Sequence, residues 1–272
     1  MLTIDSTVEL ANGVRMPRLG LGVWRLRPGG EAERTVLAAL RLGYRLIDTA
    51  SMYGNETDIG RAVRASGIPR EQIFVTTKVW NDEQGYDNTK RAFHASLGRL
   101  GMDRVDLYLV HWPVRGKYKE TYRAIEDLYE EGLVRAIGVS NFKVHHLQDL
   151  MASCRVKPMV NQIELHPLLT QRETVDFCRR EGIVVESWSP IMQGRLDLPL
   201  LRELAEKYGK TPAQIVIRWH LQHGYVVIPK SSREERIAEN SRVFDFELSG
   251  EDMRRIDGLN RNLRFGMDPD VV

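Results

Sequence analysis

Four side chains of complementary acid–base character stand at the ends of successive short apolar runs: Asp48 with Tyr53 just beyond it, Lys78, and His111. An acid, a phenol, an ammonium and an imidazole delivered to one place suit hydride addition to a carbonyl. That addition builds an alkoxide, which needs a proton donor within hydrogen-bond reach. A phenol of ordinary pKa, ~10, cycles its proton near neutral pH only if a cation favours the phenolate. Lys78 would supply that cation, since unit charges ~4 Å apart interact by about 4 kcal/mol at an effective dielectric of ~20. Asp48 would hold the ammonium, and His111 would donate a ring N–H to the carbonyl oxygen. Each residue taken singly has a plainer reading, as a structural Asp48–Lys78 ion pair or as a satisfied polar side chain. Their recurrence at successive run ends is what argues for a site.

Eight short apolar runs must position these groups: Leu19 to Val23, Tyr44 to Ile47, Ile73 to Thr77, Val105 to Val110, Val134 to Val139, Val160 to Glu164, Val184 to Ser187 and Tyr225 to Ile228. Between and after them lie stretches of helical period: Glu31 to Leu42, Asn55 to Ala65, Asn88 to Leu100, Lys119 to Glu131, Lys143 to Met151, Arg172 to Arg180, Leu200 to Tyr208, Pro212 to Gln222, Arg233 to Asn240 and Gly250 to Leu259. Pro212 behind Thr211 reads as a capped helix start. Unbroken β/α alternation predicts an α/β fold with a parallel sheet closed into a (β/α)8 TIM barrel, a single domain over 1–272. Asn12-Gly13 between two short runs predicts a β-hairpin ahead of the first barrel strand, covering one barrel end. An open doubly wound sheet would need a phosphate-binding glycine turn. The nearest match, Gly20-Leu-Gly22-Val-Trp-Arg25, lacks the third glycine.

In such a barrel, functional groups gather where strands end. The later runs end in Ser140-Asn141, in Gln162 with Glu164 and His166, in Trp188-Ser189-Pro190, and in Pro229-Lys230-Ser231-Ser232. Composition narrows the partners. The 39 Lys plus Arg against 37 Asp plus Glu leave +2, which gives no electrostatic reason to expect nucleic acid or an anionic membrane. No apolar run approaches the ~18 residues that span a bilayer, and the opening MLTIDSTVELANG lacks the basic flank and apolar core of a signal peptide. Two cysteines, Cys154 and Cys178, form no disulfide framework. A cytoplasmic protein, expected to be a monomer, fits this pattern. HxH and HExxH pairs are absent, so no metal site is expected.

The motifs GLGVW, DTASMYGNE, TTKVWND, DLYLVHWP, GVSNF, NQIELHP and IPKSSREERIAEN resemble the aldo-keto reductase family over nearly the whole chain, and in particular its short bacterial members described as 2,5-diketo-D-gluconate reductases. The resemblance implies a (β/α)8 barrel that binds NADPH (NADP+) in extended form without a Rossmann domain. It carries the family's catalytic tetrad onto Asp48, Tyr53, Lys78 and His111, with Tyr53 the general acid, in agreement with the chemical reading above. It assigns Ser140, Asn141 and Gln162 to the nicotinamide carboxamide, whose amide demands mixed donors and acceptors, although Ser140 and Asn141 could also cap the helix near Lys143. Trp188, where many members carry tyrosine, would stack on the nicotinamide, with Ser189 beside it. Lys230, Ser231, Arg233 and Arg236 would hold the 2′-phosphate, with Ser232 among them, and Glu239 with Asn240 the adenine. Cations beside free N–H groups at a helix start suit an anion, though a solvated charged helix start is the commoner fate of such a run. Trp24, Trp80 and Trp112 with His111 would wall a slot for a small carbonyl substrate, and the short RFGMDPDVV tail would leave that slot open. The implied activity is NADPH-dependent reduction of small aldehydes, ketones or keto-sugar acids. Two alternatives stand beside it: a cofactor-binding accessory barrel with little turnover, and a metal-dependent barrel hydrolase using Asp48, His111, Glu164 and His166.

Overall fold

The computed structural model describes residues 2–272. A two-stranded antiparallel hairpin, β1 (Thr7–Glu9) and β2 (Arg15–Pro17), precedes eight parallel strands. These are β3 (Leu21–Gly22), β4 (Leu46–Asp48), β5 (Phe74–Val79), β6 (Val105–Val110), β7 (Val134–Ser140), β8 (Val160–Glu164), β9 (Val184–Trp188) and β10 (Val226–Val227). They pair in chain order from β3 to β10. Strands covered on both faces read as continuous apolar runs instead of alternating ones, and every residue of β5, β6 and β8 is buried.

The two edges of this curled sheet meet. Leu19 bridges Val227, Gly20 N–H donates to the Val227 carbonyl at 2.9 Å, and Val227 N–H donates to the Arg18 carbonyl at 2.9 Å. A Cβ on Gly22 would lie 2.9 Å from the Ile228 carbonyl oxygen, so closure at this seam requires glycine. The arrangement is consistent with a (β/α)8 barrel. The closing strands are shorter than the runs Leu19 to Val23 and Tyr225 to Ile228 predict, because the chain turns away into functional loops directly beyond the seam.

The helices are α1 (Glu31–Arg41), α2 (Glu56–Ala65), α3 (Tyr86–Leu100), α4 (Tyr118–Glu130), α5 (Val144–Met151), α6 (Arg172–Glu181), α7 (Pro199–Tyr208), α8 (Pro212–Gln222), α9 (Glu234–Ser241) and α10 (Gly250–Asp257). Their apolar stripes, such as Ala32, Val36, Ala39 and Leu40 of α1, are buried in the core while the opposite faces carry the charges. The α8 start carries the expected Thr211 cap, and the structure extends it to a capping box: Gln214 N–H donates to Thr211 Oγ1, and Thr211 N–H donates to Gln214 Oε1 at 2.9 Å. Ten helices accompany eight barrel strands: two, α7 and α8, lie between β9 and β10, and two, α9 and α10, follow β10.

The hairpin covers the end where strands begin. Asn12 Nδ2 donates to the Arg135 carbonyl near the start of β7, and Arg18 Nη1 to the Gly224 carbonyl ahead of β10. The opposite end, where strands finish, is left to the site. Register aligns the polar residues there: Ser140 lies opposite Gln162, Gln162 opposite Glu186, and Glu164 opposite Trp188.

Candidate active site

At the strand-end face, Lys78 at the end of β5 is wholly buried. Its ammonium donates to Asp48 Oδ1 at 2.7 Å, to the Thr49 carbonyl at 2.9 Å and to the Tyr53 hydroxyl at 3.4 Å. Three acceptors for three N–H groups leave this buried cation fully satisfied, which is the condition for keeping it charged out of water. Desolvation works against the ammonium, but Asp48 and Tyr53 outweigh it and hold Lys78 above its usual value. Burial also pushes Asp48 upward, opposed by Lys78 and Gln162.

Tyr53 departs from the expectation that its cation would depress it. Burial raises the phenol above its ordinary value, and Lys78 offsets only part of that rise. The hydroxyl therefore keeps its proton at neutral pH. His111, at the end of β6, packs edge-on against Tyr53 with ring centroids 5.8 Å apart, and against Trp80 at 5.1 Å. Burial and then the Lys78 charge hold this imidazole well below its usual value, so it is neutral and carries one N–H.

A second layer of side chains is joined to the first. Gln162 Nε2 donates to Asp48 Oδ2 at 2.7 Å and to Glu186 Oε2 at 2.9 Å, which spends both amide hydrogens on carboxyl oxygens. Asn141 Nδ2 donates to the His111 carbonyl at 3.0 Å and to Ser140 Oγ at 3.1 Å, while its Oδ1 accepts from Trp188 Nε1 at 2.8 Å. Ser140 Oγ donates to the Gln162 carbonyl at 2.8 Å. Trp188 Nε1 is donor-only and carboxylates accept, so both amide orientations are fixed. The capacity left to a ligand at Ser140, Asn141 and Gln162 is accepting alone, not the mixed set expected from their types. Nor do Ser140 and Asn141 cap α5: Lys143 holds that position, its N–H meeting His146 Nδ1 at 3.2 Å. Asn141 and Ser189 both take left-handed backbone, with φ of 65° and 48°. Such strain in residues with side chains concentrates at functional sites.

Glu186 is the residue that sequence reasoning missed. It is fully buried in β9, its Oε1 has no partner, and burial followed by the Asp48 charge pushes its carboxyl up to about 8. A lone acid amid the apolar VVESW run was the available signal.

Trp188 is half-buried, and Trp112 is largely buried with its carbonyl accepting from Gln84. Trp24 is 37% exposed beneath the Arg25 guanidinium, 4.1 Å from the ring centre. Of the three tryptophans expected to wall a pocket, Trp80 alone packs directly on His111.

Farther along the face, Lys230, Ser232, Arg233 and Arg236 are exposed around the start of α9, and among the described residues none of these cations pairs with a carboxylate. Ser231 Oγ accepts the Arg233 N–H at 3.1 Å and orders that turn. Grooves lie on both sides of α9. One of about 910 Å³ is lined by Arg25, Arg27, Arg34, Ser232 and Glu234, and one of about 560 Å³ by Thr211, Gln214, Glu239 and Arg242. Glu239 there accepts from the Thr211 hydroxyl at 2.8 Å, and Asn240 is buried.

Asp48, His111, Glu164 and His166 form no metal-ligating group among the described residues; Asp48 faces an ammonium and Glu164 faces backbone N–H groups. His145, His146 and Asp270 do converge, but the His146 Nδ1 lone pair takes a backbone N–H and the Lys143 ammonium sits on Asp270 at 2.6 Å. That cluster fastens the C-terminal segment. No helix among the described residues is long and apolar enough to cross a membrane.

Comparison with known proteins agrees with this geometry. Residues 18–261 match the model of the aldo/keto reductase family. The chain is 54% identical to glyoxal reductase of Bacillus subtilis (strain 168), over 99% of this chain and 98% of that protein. It superposes with a TM-score of 0.95 on MGS-M4, an aldo-keto reductase from a Medee basin deep-sea metagenome library, at 48% identity over 97% of this chain and 99% of the other. A mutant of Gox0644 crystallised in complex with NADPH superposes at 0.94, with 44% identity and 98% of both chains covered.

Proposed function

The chain is a member of the aldo/keto reductase family, and on that premise we propose that it is an NADPH-dependent reductase of small aldehydes, ketones or keto-sugar acids, with Tyr53 as the general acid. The observation that carries the reading is the buried Lys78 ammonium, 2.7 Å from Asp48 and 3.4 Å from the Tyr53 hydroxyl, with a neutral His111 ring beside the phenol. Small dicarbonyls of the glyoxal kind head the substrate list, because a relative 54% identical over nearly the full length is a glyoxal reductase. The 2,5-diketo-D-gluconate class stays on it as the keto-sugar candidate. We take the curled sheet as a closed (β/α)8 barrel forming one domain.

The residues present fit the cofactor at both ends. Ser140, Asn141 and Gln162 offer acceptors suited to a carboxamide NH2, and Trp188 offers an aromatic face. Lys230, Arg233 and Arg236 place unpaired cations at the α9 start, where backbone N–H groups also favour a phosphate. Bound there, NADPH supplies the hydride.

The chain's own groups do the rest. His111 donates its one N–H to the carbonyl oxygen and orients it. The Tyr53 phenol, kept protonated by burial, gives its proton to the oxygen as alkoxide character develops, since an alkoxide is far more basic than any phenolate. Lys78 then stabilises the phenolate, and Asp48 keeps the ammonium aimed at it. Proton transfer of this kind contributes ~10²–10⁴-fold. The test is NADPH oxidation with glyoxal, simple aldehydes and keto-sugar acids. Turnover on at least one carbonyl class is expected. NADPH binding with no turnover on any class would leave the accessory-barrel reading standing, and no binding at all would remove both.

A further inference from the structure

The C-terminal segment after α10 is not a loose end. Phe265 N–H donates to Glu164 Oε1 at 2.7 Å, and Gly266 N–H donates to Glu164 Oε2 at 3.0 Å, so one buried carboxylate grips two consecutive backbone amides. His166 Nε2 lies 3.1 Å from the same Oε1, and its ring stacks on Phe265 with centroids 5.0 Å apart. Burial alone would push Glu164 up, but these donors hold it below the usual carboxylate range. Beyond this point Lys143 pairs with Asp268 and Asp270, at 2.6 Å each. A strap tied at a buried site and again at the surface is fixed along its length.

What the strap touches is Trp188. Gly266 lies against the six-membered edge of the indole, so closely that a Cβ built on the glycine would overlap Cη2 of the ring. The opposite edge is tied by Nε1 donating to Asn141 Oδ1 at 2.8 Å. The ring is thus held at both edges.

We propose that Glu164 is a positioning residue: by clamping the Phe265–Gly266 backbone it seats the strap on the outer edge of Trp188 and so fixes the aromatic plate on which the nicotinamide end of NADPH rests. Glu164 is wholly buried and its oxygens take the strap amides and His166, so it acts through the strap and the indole. The proposal rests on the reductase reading above.

The experiment is a double-mutant cycle read by calorimetric titration of NADPH. Glu164→Gln turns one acceptor oxygen into a donor facing a backbone N–H, and the NADPH Kd should rise about tenfold, the equivalent of losing one charge-assisted hydrogen bond. Turnover at saturating NADPH should stay within about twofold, because the proton-transfer groups are untouched. In a Trp188→Ala background the same change should cost nothing further, since the plate is already gone. Gly266→Ala, whose methyl would displace the ring, should reproduce the Glu164→Gln effect and carries the cycle if Glu164→Gln does not fold. Additive losses in the Trp188→Ala background, or an unchanged Kd in folded Glu164→Gln and Gly266→Ala, would overturn the positioning role and leave the reductase reading intact. A wild-type protein that binds no NADPH would overturn both.

Discussion

Replacing Glu186 by Gln tests the electrostatics of the site most directly. In the folded protein this carboxyl is fully buried and takes one amide donor, Gln162 Nε2 at 2.9 Å, with Asp48 on the other side of that amide, and the Lys78 charge offsets only part of the cost of burial. It therefore holds its proton up to about pH 8, whereas its ordinary value is 4.5. A carboxyl raised by folding binds its proton more tightly in the folded state. Stability is thus lost progressively as pH rises from the unfolded value toward 8, and the loss is complete above that. At about 1.36 kcal/mol per unit, the penalty should grow by about 4 kcal/mol between roughly pH 5 and pH 8.5. Glutamine keeps the shape and an acceptor for Gln162 but cannot ionise. The stability difference between Glu186→Gln and wild type, from urea titrations across that range, should tilt in the variant's favour by about that amount and then level off. A difference independent of pH would mean that Glu186 ionises normally. Glu186 would then carry a negative charge beside Asp48 at neutral pH, contrary to the shift that its burial predicts.

Tyr53→Phe should bind NADPH nearly as tightly as wild type while losing ~10²–10⁴-fold in kcat on a good aldehyde, because only the proton donor is removed; wild-type turnover would mean that the acid is misassigned. Lys78→Met should be comparably impaired by the same assay, since the phenolate loses its cation and Asp48 is left buried without its counter-ion. Arg236→Ala should weaken NADPH binding about tenfold or more and leave NADH binding nearly unchanged, since one charge-assisted hydrogen bond is worth roughly 1.5–3 kcal/mol. The salt dependence of NADPH binding should fall with it. Equal losses for the two cofactors in parallel titrations would show that Arg236 supports the fold.

Much of this was legible from local pattern. Buried parallel strands read as apolar runs, so Val105 to Val110 and Val160 to Glu164 were located to the residue, and the polar groups at the run ends marked the face that carries the site. Contacts between distant residues were not legible. Gln162 meets Asp48 across 114 positions, and Glu164 meets Gly266 across 102, and no spacing rule reaches that far. For the same reason the residue types at Ser140, Asn141 and Gln162 misled on hydrogen-bond capacity, because capacity depends on what the neighbours consume. The sign of the Tyr53 shift was misjudged because charge proximity is visible in a motif while the depth of burial is not.

The three acids Asp48, Glu164 and Glu186 show how one side-chain chemistry acquires three functions. Asp48 meets an ammonium at 2.7 Å and forms an ion pair with it. Glu164 meets two backbone N–H groups and a histidine, and this donation outweighs burial and holds its carboxyl below the ordinary value. Glu186 meets one amide and a neighbouring negative charge, and stays neutral near pH 7. The difference bears on the chemistry. With Glu186 protonated, the buried Lys78–Asp48 cluster beside Tyr53 is one cation against one anion, so the phenolate left by proton transfer is the one excess negative charge, held 3.4 Å from the ammonium. An ionised Glu186 would put a second negative charge there and hold the proton on Tyr53 more strongly. Above about pH 8, then, proton donation in the wild type should slow through the ionisation of a residue that makes no hydrogen bond to Tyr53. Glu186→Gln should move that alkaline limb of the kcat profile to higher pH, and a limb that stayed in place would return its origin to Tyr53 itself.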